Sequence, residues 1–371
     1  MPEHRSATTP RPAAPGAAAP AAGRGGAPGR LLVRVRERIQ ETAEAVSLVL
    51  DAELPYSPGQ FLTVRIPGGG ARCYSLASSP HTGEPMRITV KRVPGGLGSG
   101  WVCDAVAPGD VLEVLPPAGA FTPGPGGLDR DLLLVAGGSG ITPVLSLAKS
   151  ALAAGRGRVA LLYANRDPDS VIFREELREL AGEHPGRFTV LHWLESLQGL
   201  PTAAGLGAPL DPYAGREAWL CGPGPLMDAA GTALRAAGAE AGRIHRERYF
   251  SLGADVFAQP AAPEPPVEAG AEAGVEAGAE PAAEAEVELD GRTYRLPWRR
   301  GTPLLDVLLA AGAPAPYSCR EGACSACCCR VLEGGVTMAR NEVLDDADLA
   351  DGYVLACQAL PLTDRVRIGY A

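Results

Sequence analysis

At 371 residues the chain is too long for one ordinary core, and at roughly 100 to 200 residues per domain two or three are expected. Its 47 glycines and 35 prolines, about a fifth of the residues, fall short of wholesale disorder but are too many to spread through packed domains, so part of the chain is expected to be unstructured. A net charge of −9 argues against a nucleic-acid surface, and no apolar run approaches the ~18 to 20 residues of a bilayer span, which predicts a soluble, cytoplasmic protein with no membrane or nucleic-acid partner.

Residues 1–29 are a Pro/Ala/Gly/Arg string with too few large apolar side chains to offset ordering entropy, and predict a disordered tail. Over residues 30–127, short alternating runs at Leu32 to Val35, Val46 to Leu50, Phe61 to Ile66, Cys73 to Leu76, Met86 to Val93 and Val111 to Leu115 are separated by Pro-Gly and Gly-Gly turns. That pattern predicts a small antiparallel barrel. On one of its strands, Arg72-Cys73-Tyr74-Ser75-Leu76 combines a planar cationic fork suited to a diphosphate, an aromatic face suited to a ring system, and a hydroxyl. Taken alone, the run suits a surface edge equally well. Its company favours the ligand: Val90-Lys91-Arg92 adds two cations, and Gly95-Gly96-Leu97-Gly98-Ser99 precedes a helical turn whose N-terminal amides suit phosphate oxygens.

Residues 128–253 alternate strand and helix. Asp131 to Ala136 is a buried-strand run, after which Ile141, Val144, Leu145, Ala148, Ala151 and Leu152 recur at helical spacing. Further strands are expected at Val159 to Tyr163, Phe188 to Trp193 and Ala218 to Cys221, with helices over 171–181 and 224–237, giving a parallel sheet with crossover helices. Gly137-Gly138-Ser139-Gly140-Ile141-Thr142-Pro143 sits at a strand-to-helix junction, where glycines let a dinucleotide pyrophosphate approach backbone amides. A plain strand-to-helix turn has the same composition, and Pro143 stands where the full motif carries its last glycine. Cys221-Gly222-Pro223 places a thiol at the carboxyl edge of the same sheet, where open α/β folds bind ligands. Arg166 would suit a 2′-phosphate and the adjacent Asp167 a ribose diol, so these charges point both ways. The five histidines form no cluster and receive no chemistry.

Residues 254–286 carry acids and no Lys or Arg. From Glu264 to Glu288 every fourth residue is Glu, which in a helix would stack like charges on one face, so a flexible acidic linker is expected. A third domain over 287–371 opens with a hairpin signal at Leu289-Asp-Gly-Arg292 and a short helix at Leu304 to Ala311. It then becomes cysteine-rich. Cys319-x4-Cys324-x2-Cys327, followed after 29 intervening residues by Cys357, has the plant-type [2Fe–2S] spacing, and Gly322, Ala323, Ser325 and Ala326 are small enough for a loop to wrap a cluster. A four-cysteine zinc site is the alternative, although zinc knuckles pair two Cys-x-x-Cys hooks and here the second is a single cysteine. Cys328 and Cys329 are surplus, one a small buried hydrophobe and the other a thiol beside the cluster.

Together, Arg72-Cys-Tyr-Ser-Leu76, Gly138-Ser-Gly-Ile-Thr-Pro143, Cys221-Gly-Pro223 and the four-cysteine loop resemble the ferredoxin-NADP reductase superfamily, in its class with a C-terminal plant-type [2Fe–2S] ferredoxin domain. Longer stretches, among them Leu162-Tyr-Ala-Asn-Arg-Asp167 and Leu191-His-Trp-Leu-Glu-Ser-Leu-Gln-Gly-Leu-Pro201, are similar to the reductase components of 3-ketosteroid 9α-monooxygenases. The resemblance implies a multidomain fold: an antiparallel β-barrel FAD domain, an α/β parallel-sheet nucleotide domain and an α+β ferredoxin-like [2Fe–2S] domain. It implies that Arg72, Cys73, Tyr74 and Ser75 bind FAD, with Val90, Lys91, Arg92, Leu97, Gly98 and Ser99 around its diphosphate. Gly138, Ser139, Gly140, Thr142, Asn165, Arg166, Cys221 and Gly222 would line the nicotinamide nucleotide site, and Cys319, Cys324, Cys327 and Cys357 would hold the cluster. The flavin-stacking aromatic falls on Tyr249 of His245-Arg-Glu-Arg-Tyr249, with Phe250 its competitor, and Tyr249, Cys221 and Thr142 stand nearest the chemistry. The implied activity is that of an oxidoreductase: NADH, or alternatively NADPH, reduces FAD, which feeds single electrons through [2Fe–2S] to a Rieske-type terminal oxygenase that hydroxylates a steroid. The reductase of phenylacetyl-CoA epoxidase, or of another ring hydroxylase, is the alternative within the class. A nucleotide-binding regulator with a structural zinc module is the alternative outside it.

Overall fold

A computed structural model describes residues 30–252 except 69 and 250, Phe257, and residues 283–370 except 323 and 345. The expected tail, most of the expected linker, Phe250 and Ala323 lie outside the described residues.

The first unit comprises β1 (Leu31–Thr42), β2 (Ala45–Asp51), β3 (Phe61–Arg65), β4 (Ala71–Ser75), β5 (Arg87–Lys91), α1 (Leu97–Ala105) and β6 (Val111–Val114). Val33 and Val35, Leu62 and Val64, Leu112 and Val114 face one core, as the two-residue period of a strand requires. The strands run in the order β4-β3-β6-β1-β2-β5, all antiparallel, and Leu76 just beyond β4 bridges Ile88 of β5, so the ends of the sheet meet and close a barrel.

The second unit comprises β7 (Leu132–Gly137), α2 (Ile141–Ala154), β8 (Val159–Asn165), α3 (Arg174–Glu183), β9 (Phe188–Leu194), α4 (Glu195–Gln198), α5 (Ala203–Leu210), β10 (Glu217–Cys221), α6 (Gly224–Ala236) and β11 (Ile244–Glu247). Its sheet is parallel, in the order β11-β10-β7-β8-β9. Side chains of α2 and α3 cover one face and those of α5 and α6 the other, which is why β7 reads as an unbroken apolar run. Helix α3 starts at Arg174, not at 171 as expected. Asp167 and Ser170 close a capped turn and Phe173 takes a left-handed φ of 61°, so the apolar Val171 to Phe173 is buried ahead of the helix. Sequence periodicity held no sign of α5, which contains Gly205, Gly207 and Pro209 and forms because Leu206 and Leu210 bury against the sheet.

After β12 (Ser251–Leu252) come β13 (Ala283–Leu289), β14 (Arg292–Trp298), α7 (Leu304–Ala310), β15 (Cys328–Glu333), β16 (Val336–Met338), α8 (Asp346–Ala350), β17 (Tyr353–Leu355), β18 (Ala359–Pro361) and β19 (Arg365–Gly369). They build a five-stranded sheet in the order β14-β13-β19-β15-β17, with a β16-β18 pair and α7 packed against it through Leu304, Leu305 and Leu308.

Two expected boundaries move. Ala283 to Glu286, assigned by sequence to the linker, are strand: Ala283, Ala285, Val287 and Leu289 point inward while Glu284 and Glu288 point out. A glutamate every fourth residue falls on one face of a strand as well as of a helix, so the repeat did not separate the linker from the strand. Residues 251 and 252, assigned to the nucleotide domain, return to pair with Arg72 and Ala71 at the barrel edge. Phe257, also assigned to the linker, is buried with Phe61, Ala71, Leu115 and Ala118 of the barrel and with Cys319, Cys324 and Ala326 of the third unit. Barrel and cysteine loop thus share a small core. Among the described residues no helix is long and apolar enough to cross a membrane.

Candidate functional site

Three polypeptide segments meet at the Tyr249 hydroxyl. Thr142, in the first turn of α2, lies 2.8 Å from it, Ser75 at the end of β4 lies 3.3 Å from it, and the Ser139 carbonyl accepts at 3.3 Å. Tyr249 remains 42% exposed although its hydroxyl is enclosed by these partners, and burial, with the nearby Cys221, keeps the phenol protonated well above its ordinary range. Tyr249 thus presents a face beside the barrel with its polar end tied down, the form suited to a planar ring ligand. Cys221 is fully buried, and burial raises its thiol far above the usual value. Its partner across the parallel β10–β11 ladder is Glu247, whose carboxyl burial pushes up to about 8.

Gly140 shows why the motif after β7 needs glycine: an added Cβ would lie 2.1 Å from the Cys221 carbonyl oxygen, so the turns after β7 and β10 interlock. That close approach unites Gly138, Ser139, Gly140, Thr142, Cys221 and Gly222 at one carboxyl edge of the sheet, the ligand edge of open α/β folds. Asn165, at the end of β8, is buried with neither amide atom hydrogen-bonded, an unpaired polar group at the same edge. Arg166, next to it, pairs with Glu44 of the β1–β2 turn at 2.6 Å.

On the barrel, Gly98 lets the N-terminus of α1 approach Arg72, whose Cγ would be 2.8 Å from an added Cβ. The stem of Arg72 thus lies against the first turn of α1 while its guanidinium donates to the Ala71 carbonyl at 2.6 Å, and an arginine beside first-turn amides is a donor set that fits a diphosphate. Tyr74 packs in the barrel core with its hydroxyl buried and unpartnered, a second unpaired group beside it. Other expected residues are differently employed. Ser99 Oγ accepts from Val93 N and donates to Gly96 O, Arg92 pairs with Asp104, Leu97 is 81% exposed, and Val90 lies in the core with its carbonyl 3.8 Å from the Cys103 thiol. Cys73 faces the third unit, 3.6 Å from Ser318.

The cysteine loop turns through three positive φ values, Arg320 at 57°, Gly322 at 74° and Ser325 at 50°. Those turns aim donors at sulfur: Glu321 N to Cys319, Cys319 N to Cys324, Cys357 N to Cys327, and Gln358 Nε2 to Cys357 at 3.6 Å. Amides directed at sulfur stabilise thiolates and the anionic cluster they hold. Among the described residues no three or more His, Cys, Asp or Glu gather as ligands of one metal ion. Cys319 adjoins Cys324 and Cys357, and Cys357 adjoins Cys327, so the loop gathers the four thiols, whose spacing along the chain is that of a plant-type [2Fe–2S] site. Cys329 is buried and directed at Val354 O, while Cys328 is half-buried on β15.

A small cavity joins the sites. Phe61, Cys73, Ser75, Glu247, Arg248, Tyr249 and Cys324 line it, so the Tyr249 hub and the cysteine loop open on the same space. Sequence reasoning did not single out Glu247, Thr63, Ser318, Gln358 or Glu44. Only Glu247 left a signal, as the acid in the run before Tyr249.

Residues 31–122 match the oxidoreductase FAD-binding domain family, residues 134–231 the oxidoreductase NAD-binding domain family, and residues 287–362 the 2Fe-2S iron-sulfur cluster binding domain family. The ferredoxin reductase component of 3-ketosteroid-9-alpha-monooxygenase from Rhodococcus rhodochrous is 51% identical over 350 residues, 92% of this chain and 97% of that protein. A component of the 1,2-phenylacetyl-CoA epoxidase of Escherichia coli is 33% identical, over 89% of this chain and 94% of that one. The structure of phthalate dioxygenase reductase, a modular structure for electron transfer from pyridine nucleotides to [2Fe-2S], aligns with a TM-score of 0.54 at 25% identity, over 92% of this chain and 98% of that one. An FAD domain, a nucleotide domain and a [2Fe–2S] domain in one chain make this an electron-transferring oxidoreductase, and it belongs to the family of the 3-ketosteroid-9-alpha-monooxygenase ferredoxin reductase components.

Proposed function

We propose that the protein draws electrons from NADH and delivers them singly to the Rieske-type oxygenase component of a monooxygenase acting on a 3-ketosteroid, in the cytoplasm. The cavity shared by Ser75, Tyr249 and Cys324 carries this reading, because it puts the flavin side and the cluster side of the chain in contact without an intervening protein layer. Identity of 50% and 51% to 3-ketosteroid-9-alpha-monooxygenase reductase components supports the steroid acceptor. All nine cysteines are free thiols, consistent with a reducing compartment.

When bound, FAD accepts an electron pair from the nicotinamide and releases it one electron at a time, and the [2Fe–2S] centre carries those single electrons. The chain supplies binding and orientation. Arg72 and the α1 amides at Gly98 are assigned to the FAD diphosphate, Tyr74 and Ser75 to its ring end, and Tyr249 to the ring face that the nicotinamide must reach. Thr142 and Ser139 tie the Tyr249 hydroxyl to the nucleotide turn, so this ring is positioned by the domain that brings the nucleotide. Gly138, Gly140 and Gly222 allow the dinucleotide to approach backbone amides, and Cys221, held neutral by burial, leaves the nicotinamide pocket uncharged. Cys319, Cys324, Cys327 and Cys357 are assigned to the cluster, with Gln358 donating to one of its sulfurs.

The test is a coupled assay with purified oxygenase partners. NADH-dependent hydroxylation of a 3-ketosteroid by its oxygenase is expected, and turnover only with a phenylacetyl-CoA epoxidase would replace the acceptor assignment while leaving the electron chain intact. A purified protein lacking flavin and iron–sulfur absorbance would sink both.

A further inference from the structure

We propose that Glu44, reaching from the barrel to Arg166, makes the nucleotide site select the dinucleotide without a 2′-phosphate. The inference rests on the reading above that a nicotinamide dinucleotide reduces this protein, and it names the residue that chooses between the two.

In doubly wound α/β folds, the end of the strand after the glycine-rich turn reads the adenosine ribose: an acid accepts from the 2′-hydroxyl, or an arginine takes up a 2′-phosphate. Here that strand is β8, which ends at Asn165 and is followed by Arg166 and Asp167. Asp167 is committed elsewhere, because its carboxylate caps the following turn, accepting from Ser170 N at 2.9 Å. The acid of the nucleotide domain at the position that usually reads the ribose is thus occupied. The available carboxylate comes from the other domain. Glu44 Oε2 lies 2.6 Å from Arg166 Nη2 and 3.9 Å from Lys91 Nζ, and that ammonium is 3.5 Å from where a Cβ on Gly138 would stand. Glu44 is therefore strung between the glycine turn and the ribose-reading strand end, where the buried amide of Asn165 is unpaired.

A stability role explains little of this arrangement. Arg166 is 58% and Glu44 42% exposed, and ion pairs so exposed contribute little to folding. Their effect on an incoming ligand is larger, because a phosphate dianion brought against a fixed carboxylate meets like charge and finds the guanidinium already paired. A ribose diol meets an acceptor instead.

The test compares holo-reductase with Glu44→Gln and Glu44→Gln/Arg166→Ala, using calorimetric titration with 2′,5′-ADP and 5′-AMP and dye-reduction kinetics with NADPH and NADH. In Glu44→Gln, affinity for 2′,5′-ADP and kcat/KM for NADPH should rise about tenfold, the latter through KM, while kcat/KM for NADH falls about threefold. The double variant should lose the NADPH gain, and the melting temperature of Glu44→Gln should stay close to that of the parent. Equal gains for both dinucleotides would mean that Glu44 is merely displaced by the pyrophosphate and would overturn the proposal, as would an unchanged ratio or a parent that prefers NADPH. If neither dinucleotide reduces the parent, the electron-chain reading fails, and the ratio of 2′,5′-ADP to 5′-AMP affinity still decides the role of Glu44.

Discussion

Thr63 of the barrel and Ser318 of the cysteine loop, 255 positions apart, meet through their hydroxyls at 2.5 Å in a buried contact, with the Cys73 thiol alongside. It is the polar centre of the small apolar seam that holds the third unit against the barrel. A buried hydroxyl stripped of its partner costs about 1–3 kcal/mol, whereas removing both partners costs far less. Ser318→Ala or Thr63→Val should therefore loosen the docked arrangement, and the double variant should restore part of it. Stopped-flow spectroscopy should find the flavin reduced by NADH at the parent rate, with cluster reduction several-fold slower in each single variant. Equal cluster reduction in all variants would show that the seam does not set the transfer geometry.

Loss of the cluster should leave the flavin half working. Cys319→Ser, Cys324→Ser and Cys357→Ser each remove a thiol from the paired set and should abolish the iron signal while NADH-to-dye activity persists, since the hydrogen bonds that fix Tyr249 run to Thr142 and Ser75 and involve none of the four. Cys328→Ser should retain iron, because that side chain lies on β15 and outside the pairs. Iron analysis and dye reduction on the same preparations check both, and iron lost from Cys328→Ser would shift the ligand register by one residue.

Sequence carried the barrel strands, the parallel sheet and the cysteine loop because each is a local signal: alternation, an unbroken apolar strand, ligand spacing. It placed Gly140 at a strand-to-helix junction for the same reason, whereas Tyr249 stood out only through the family resemblance. What it missed is non-local. Glu44 meets Arg166 across 122 positions and Thr63 meets Ser318 across 255, and nothing in either neighbourhood announces its partner. The outer edge of the linker was misplaced for a different reason, since Glu284 and Glu288 continue the acidic repeat into a strand that buries only Ala and Val between them.

The barrel and nucleotide domains are joined by a partly buried ion cluster. Lys149 of α2 donates to Glu84 at 2.6 Å and to Glu176 at 2.7 Å, and Arg87 of β5 binds Glu176 through both carboxylate oxygens. Lys149→Met would leave Glu84 facing no cation in this cluster, and removing one member of such a pair costs up to about 3 kcal/mol when it is only partly exposed. A fall of several degrees in melting temperature is expected, together with weaker flavin retention, because this contact ties the barrel to the nucleotide domain. Arg92→Ala, which breaks the exposed Asp104 pair, should change the melting temperature little.

Glu247 makes stability depend on pH with a definite sign. Burial raises its carboxyl to about 8 from an unfolded value near 4.5, so the folded protein keeps a proton that the unfolded chain has released. Below about pH 4.5 both states are protonated and the group costs nothing. Between there and about pH 8, stability drains away at up to about 1.4 kcal/mol per pH unit from this one site, and above that the full cost stands. Glu247→Gln removes the titration while keeping the shape, so its melting temperature should match the parent at pH 5 and exceed it by several degrees at pH 8.5. Thermal melts of the holoprotein at the two values decide this. A difference that does not grow with pH would mean that the carboxyl is ionised in the folded state and paired with a cation, in which case the cavity between Tyr249 and Cys324 would be lined by a charge and not by a neutral acid.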